Sequence, residues 1–262
     1  MKLIFVRHGE PDYNSDTLTP AGIEEAKALA LRIKNMQIDK VYCSPFGRAK
    51  QTASYSLKEL NQESITLDWI REFSYPIEDP ITKRNGVCWD FTPKHLWSDP
   101  RLTTPTEWLS VPFINKNKDI SNNYDTVIRN FDKLLEGYDY YREDHYYIRK
   151  NVTPRFFTST VDDNNQIRKD YSRSDEEKEP VLVFFCHLGV ICLILSHLVN
   201  IPFELITHGF FLPTTSLTIL NTEERWENQV SFRVQALGDC SHLLSHGVPI
   251  SPGGSFANPF QY

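Results

Sequence analysis

Two arginines, two histidines and a glutamate stand where chemistry on a phosphate ester could be done. Arg7-His8 follows the apolar run Leu3–Val6, Arg48 comes soon after Lys40–Cys43, Glu72 soon after Ile65–Leu67, and His187 directly after Val181–Cys186. A guanidinium binds phosphate through a planar fork of donors, so two of them make a strong anion site. Their charge also disfavours a protonated imidazole at His8, and a neutral imidazole is what a nucleophile needs. A carboxylic acid at Glu72 can protonate a departing alkoxide, and its carboxylate can then activate water.

These residues need elements that bring them to one place. Lys2–Val6 reads as a buried strand, with Thr19 as N-cap and Pro20 as the first residue of a helix. Ile23, Ala26, Leu29, Ala30 and Ile33 recur at helical spacing, with Glu24 and Glu25 expected in the first turn. Lys40–Cys43 is a second strand, Ser44-Pro45 caps a second helix running to about Leu60, and Ile65–Leu67 is a third strand. Val181–Cys186 is a strand and Leu188–Val199 a helix. Such alternation predicts a parallel α/β sheet, whose ligands bind beyond the carboxyl ends of the strands. Arg48 then sits in a helical first turn, its side chain leaning toward the free N–H groups. Leu217–Leu220 and Val230–Val234 read as two further strands forming an antiparallel edge, with a turn across Glu223–Asn228.

The stretch from Phe73 to Glu179 breaks the pattern. It is rich in Pro, Asn, Asp, Tyr and Trp, with one helix expected at about Tyr124–Tyr141 and a solvated charged run at Arg173–Glu179. A structureless loop of this length does not suit a compact domain, so an inserted subdomain at about 73–180 is expected to fold over the sheet. Trp89, Trp97, Trp108, Tyr138, Tyr140 and Tyr141 are expected to include its core. The tail after Gly247 reads as irregular.

Four local motifs resemble the histidine phosphatase superfamily, the phosphoglycerate-mutase-like fold. They are Arg7-His8-Gly9-Glu10 with Asn14 downstream, Leu18-Thr19-Pro20-Ala21-Gly22, Ser44-Pro45-Phe46-Gly47-Arg48-Ala49-Lys50-Gln51-Thr52-Ala53, and a strand ending at His187. The resemblance covers about residues 1–75 and 181–240. It implies a three-layer α/β sandwich with a mainly parallel central sheet and a large cap insertion, as one domain over 1–262. It implies His8 as nucleophile, Arg7, Asn14, Arg48 and His187 as holders of the phosphoryl group, and Glu72 as the acid. His187 is thus assigned both to catalysis and to phosphate binding. No metal or other cofactor is implied. Two positions depart from the family pattern: Leu188 stands between His187 and Gly189, and Pro11 replaces the usual Ser or Thr.

Bulk composition narrows the partners. The net charge of −6 over 262 residues argues against nucleic acid, yet allows a local positive cleft. Five cysteines without C-x-x-C spacing suit a reducing compartment, so a cytoplasmic location is expected. Val181–Val199 has the length of a membrane span, but its β-branched start and the interrupting His187 and Gly189 favour strand, turn and buried helix. The expected activity is hydrolysis of a small phosphomonoester through a phosphohistidine. A phosphomutase or phosphotransferase using the same intermediate, and a non-catalytic phospholigand-binding module, are the alternatives.

Overall fold

A computed structural model describes residues 1–150, 157–161, 164, 167–171, 179–226, 228–253 and 257–261. Among them, eight strands form the main sheet: β1 (Lys2–Arg7), β2 (Lys40–Cys43), β3 (Ser64–Thr66), β4 (Tyr140–Glu143), β5 (Tyr146–Arg149), β6 (Val181–Cys186), β7 (Leu217–Trp226) and β8 (Gln229–Asp239). Their order across the sheet is β3-β2-β6-β1-β7-β8-β5-β4. The first four are parallel; β7 runs antiparallel to β1, and β8 antiparallel to β7.

Side chains alternate across the pleat, so each central strand feeds two cores. On one face Ile4, Val6, Val41, Cys43, Val183 and Phe185 pack with Leu29, Ile33, Ala49 and Ala53. Those four belong to helices α1 (Pro20–Ile33) and α2 (Gly47–Leu60). On the other face Leu3, Phe5, Tyr42, Leu182 and Phe184 pack under α3 (Lys118–Glu136), α4 (Leu188–Val199) and α5 (Phe203–Gly209). The result is a three-layer α/β sandwich with a mainly parallel centre. The apolar stretch 181–199 is strand, turn and helix, and no helix among the described residues is long and apolar enough to cross a membrane.

Several sequence expectations shift. Thr19 caps α1 as expected, accepting the Gly22 N–H at 3.1 Å. Glu24 and Glu25 lie past the first turn, which holds no acidic residue, and Glu25 turns inward. The helix expected at about Tyr124–Tyr141 is α3, which starts earlier because Asn117 caps it through the Asp119 N–H. It stops at Glu136, after which Gly137 and the left-handed Asp139 (φ 67°) turn the chain into β4. Strands β7 and β8 run longer than expected, so Glu223–Trp226 belongs to a strand rather than a turn. They are not the edge either: the β4–β5 hairpin continues the sheet through the pairing of Val230 with Tyr147.

The stretch between β3 and β6 also holds short helices at Pro93–Leu96 and Pro112–Asn115 and an antiparallel pair, Pro76–Glu78 with Asn85–Val87. Trp89, Trp108, Tyr140 and Phe131 share one apolar cluster with Phe5 and Phe184 of the sheet, whereas Trp97 is 71% exposed. The charged run at Arg173–Glu179 lies, but for Glu179, outside the described residues.

Candidate active site

Strands β3, β2, β6 and β1 are neighbours and parallel, so their carboxyl ends meet at one edge. That edge brings Arg7, His8, Arg48, Glu72 and His187 together. The His8 and His187 rings lie 5.1 Å apart, and one donor atom from each of His8, Glu72 and His187 lies within 4.8 Å of the others. Arg7, His8, Arg48 and His187 are all buried, and Glu72 is partly so.

The loop carrying His8 is held on three sides. The His8 N–H donates to Cys186 O at 3.0 Å and the Thr215 N–H to His8 O at 3.2 Å. The Gly9 N–H donates to Thr52 Oγ1 at 2.9 Å, and that hydroxyl donates to Arg48 O at 2.7 Å. Gly22 is required by a close approach: a Cβ there would collide with the backbone of Glu10. The Leu-Thr-x-x-Gly spacing therefore serves the packing of α1 against the His8 loop.

His8 Nδ1 lies 2.8 Å from Gly9 O. A carbonyl only accepts, so Nδ1 carries the proton and Nε2 keeps its lone pair. Burial, followed by the charge of Arg7, pushes the ring well below the ordinary histidine range, with the Gly9 carbonyl only partly opposing. Burial, His8 and the two arginines do the same to His187. His187 Nε2 hydrogen-bonds Ser44 Oγ at 2.7 Å. His187 Nδ1 and Arg48 Nε are buried with no hydrogen-bond partner among the described residues. Burial raises the Glu72 carboxyl, and the Arg7 charge offsets this in part. Glu72 Oε1 accepts the N–H groups of Gly189 at 2.8 Å and Phe73 at 3.0 Å. A Cβ at Gly189 would meet Glu72 Oε1 at 2.8 Å and Phe73 O at 2.7 Å, so this turn admits only glycine at that spot.

One expectation needs correction. Ser44-Pro45 does not cap α2, which begins at Gly47 with Phe46 as an N-cap lacking a side-chain bond. Asp16 does the work from another loop, accepting the Gly47 N–H at 2.6 Å and Arg48 Nη1 at 2.7 Å. Asn14 stands exposed, its N–H donating to Asp12 Oδ1 at 3.0 Å, and no contact among the described residues draws its side chain into the cluster. Sequence reasoning missed Asp16, Thr52 as a loop anchor, and Glu25. The buried Glu25 carboxylate accepts from the Glu10 N–H at 2.8 Å, the Thr214 hydroxyl at 2.7 Å and the Ser251 N–H at 3.3 Å. Glu10 itself binds the Thr19 hydroxyl at 2.9 Å and the Ser251 hydroxyl.

The spread of His8, Glu72 and His187 donors is one that a cation can bridge. The charges of Arg7 and Arg48 bearing on both histidines favour an anion there instead.

The family model of the histidine phosphatase superfamily (branch 1) matches residues 3–86. That match covers about a third of the chain, which is similar to the superfamily there. A curated relative from Hydrogenobacter thermophilus, described as a candidate phosphoserine phosphatase, is 27% identical over 122 residues. That match spans 42% of this chain and about half the length of the relative, 54%. Among solved structures, a phosphoserine phosphatase from Entamoeba histolytica in complex with phosphoserine is 20% identical with a TM-score of 0.51, over 92% of this chain and 98% of that one. Its complex with 3-phosphoglyceric acid aligns at 19% identity with a TM-score of 0.53, over the same 92% and 98%. A mycobacterial glucosyl-3-phosphoglycerate phosphatase is 15% identical with a TM-score of 0.53, over 90% of this chain and 98% of that one. At these identities the likenesses show the fold alone.

Proposed function

We propose that the chain is a phosphomonoester hydrolase acting through a phosphohistidine at His8. The observation that carries this reading is a neutral, buried imidazole with Nδ1 tied to Gly9 O, set beside two arginines and two buried nitrogens, His187 Nδ1 and Arg48 Nε, that have no hydrogen-bond partner among the described residues. An ester phosphate between Arg7, Arg48 and His187 would satisfy those positions and neutralise the charge. Asn14 would join this set by a movement of its exposed turn.

His8 Nε2 attacks phosphorus as the ester P–O bond breaks, and the Glu72 carboxylic acid gives its proton to the departing alkoxide. Water then loses a proton to the Glu72 carboxylate and attacks phosphorus; the P–N bond breaks, releasing phosphate and neutral His8. The substrate is a small phosphorylated metabolite, and the segment at about 73–180 shapes the side where its alcohol lies. Free cysteines at all five positions suit a cytoplasmic setting.

The test is turnover of a generic aryl phosphate together with trapping of an acid-labile phosphoenzyme. Wild type should show both, and His8→Ala should lose turnover by at least about 10⁴-fold. Wild type without turnover or phosphoenzyme would leave only phospholigand binding.

A further inference from the structure

The buried cluster has an outer side built from Phe46, Tyr13 and Arg71. The half-buried Phe46 ring meets the His187 ring edge-on at 5.2 Å. The Arg48 guanidinium carbon lies 4.8 Å from the Phe46 centroid and that of Arg71 lies 5.9 Å from the same centroid. Tyr13, 63% exposed, stands against Arg48 at 5.4 Å. Phe46 is thus a shared platform for the buried Arg48 and the exposed Arg71. Because both distances run to one ring, the two guanidinium groups lie no farther apart than their sum.

Arg71 is weakly engaged where it stands. It meets Asp68 through one contact of 3.3 Å, in an exposed i,i+3 pair with side chains 56% and 81% accessible. Such pairs are screened and weak, whereas a carboxylate taken bidentately by the guanidinium fork is held more firmly. Asp68 already shows that a carboxylate fits against this group. A single arginine also matches one carboxylate in charge better than a second, dianionic phosphate.

We propose that Arg71, stacked on Phe46, is a specificity residue that receives a carboxylate carried by the alcohol part of the substrate, a few bonds from the ester phosphate. This rests on the phosphatase reading, since it takes the phosphate to lie among Arg7, Arg48 and His187. The incoming carboxylate displaces Asp68 from Arg71, and the aromatic faces of Phe46 and Tyr13 flank the carbon chain between the two anions.

O-phosphoserine and O-phosphoethanolamine differ only by a carboxylate, so the pair isolates the subsite. Arg71→Ala should lower the ratio of their kcat/KM values, phosphoserine over phosphoethanolamine, by about tenfold, the loss expected for one charge-assisted contact. Arg71 is exposed, so the fold is not at risk. An unchanged ratio, with wild type turning over the esters, would overturn the subsite and leave the phosphatase reading standing. Calorimetry on a His8→Ala background, where neither ester is consumed, reads the same ratio as dissociation constants. A tenfold fall there supports the subsite even if turnover fails and the phosphatase reading with it, and no fall overturns it.

Discussion

The parallel half of the sheet and the stretch between Phe73 and Glu179 are built on different logic. In the first, short strands end at one edge and place polar residues there: Arg7 at the end of β1 and His8 after it, Ser44 after β2, His187 after β6. In the second, no comparable convergence occurs among the described residues. Its aromatic side chains instead pack beneath the helices of the sheet, so that Trp108 touches Phe203 at 5.0 Å and Phe131 touches Phe5 at 6.2 Å. The lesson is that the added segment is wedded to the core through packing while the polar chemistry stays with the strand ends.

That contrast can be broken at Trp108, where the largest effect on stability is expected. The side chain is 1% exposed and lies between Phe203 and Tyr124. Trp108→Ala should cost about 3–5 kcal/mol, read by denaturant unfolding. If the segment shares the core, the whole protein unfolds in one transition at lower denaturant. A separate early transition, with the remainder unshifted, would show two independent units instead.

Glu72 sharpens the other side of the comparison, because its backbone belongs to the strand-end cluster while its neighbour Phe73 begins the added segment. Glu72→Gln keeps an acceptor for the Gly189 and Phe73 N–H groups. It should therefore leave stability nearly intact yet lower kcat for alkyl phosphates by roughly 10²–10³-fold. Aryl phosphates, whose leaving groups need less help, should suffer less. An acid acts while protonated, so wild-type activity should fall as pH rises through the raised Glu72 value, and this limb should vanish in the variant. A variant that keeps the limb would place the proton donor elsewhere.

The sequence made the strand ends legible because local rules decide them. Thr19-Pro20 announces a helix, and the β-branched and aromatic run before His187 announces a buried strand. The resemblance then joined Arg7, His8, Arg48 and His187, which the sheet order does bring to one edge. What stayed illegible depends on partners distant in the chain. The start of α2 is set by Asp16, and the β4–β5 hairpin finds its place through Val230. Glu25 reads as a helix-dipole carboxylate until the loop at Thr214 and the tail at Ser251 close over it. Asn14, named by its motif position, lies in an exposed turn where its N–H donates to Asp12 Oδ1.

Asp16 carries the smallest of these effects, and it tests whether such a distant cap matters at all. Burial by itself would raise its carboxyl, but the Gly47 N–H and the Arg48 guanidinium outweigh burial and hold it below its ordinary value of 3.8. A carboxyl lowered by folding stabilises the native state above its unfolded value, and that contribution disappears as pH falls through the folded one. Its side chain is 42% accessible, so solvent screens much of the pairing. Asp16→Asn should therefore cost only about 1 kcal/mol at neutral pH, in the range of a lost helix cap. The difference between wild type and variant should shrink as the pH is lowered from about 5 toward 3, because wild-type Asp16 then becomes protonated as well. A difference that persists unchanged at the acid end would mean that the carboxylate charge plays no part in holding Arg48, and that the asparagine disturbs the turn by its shape alone.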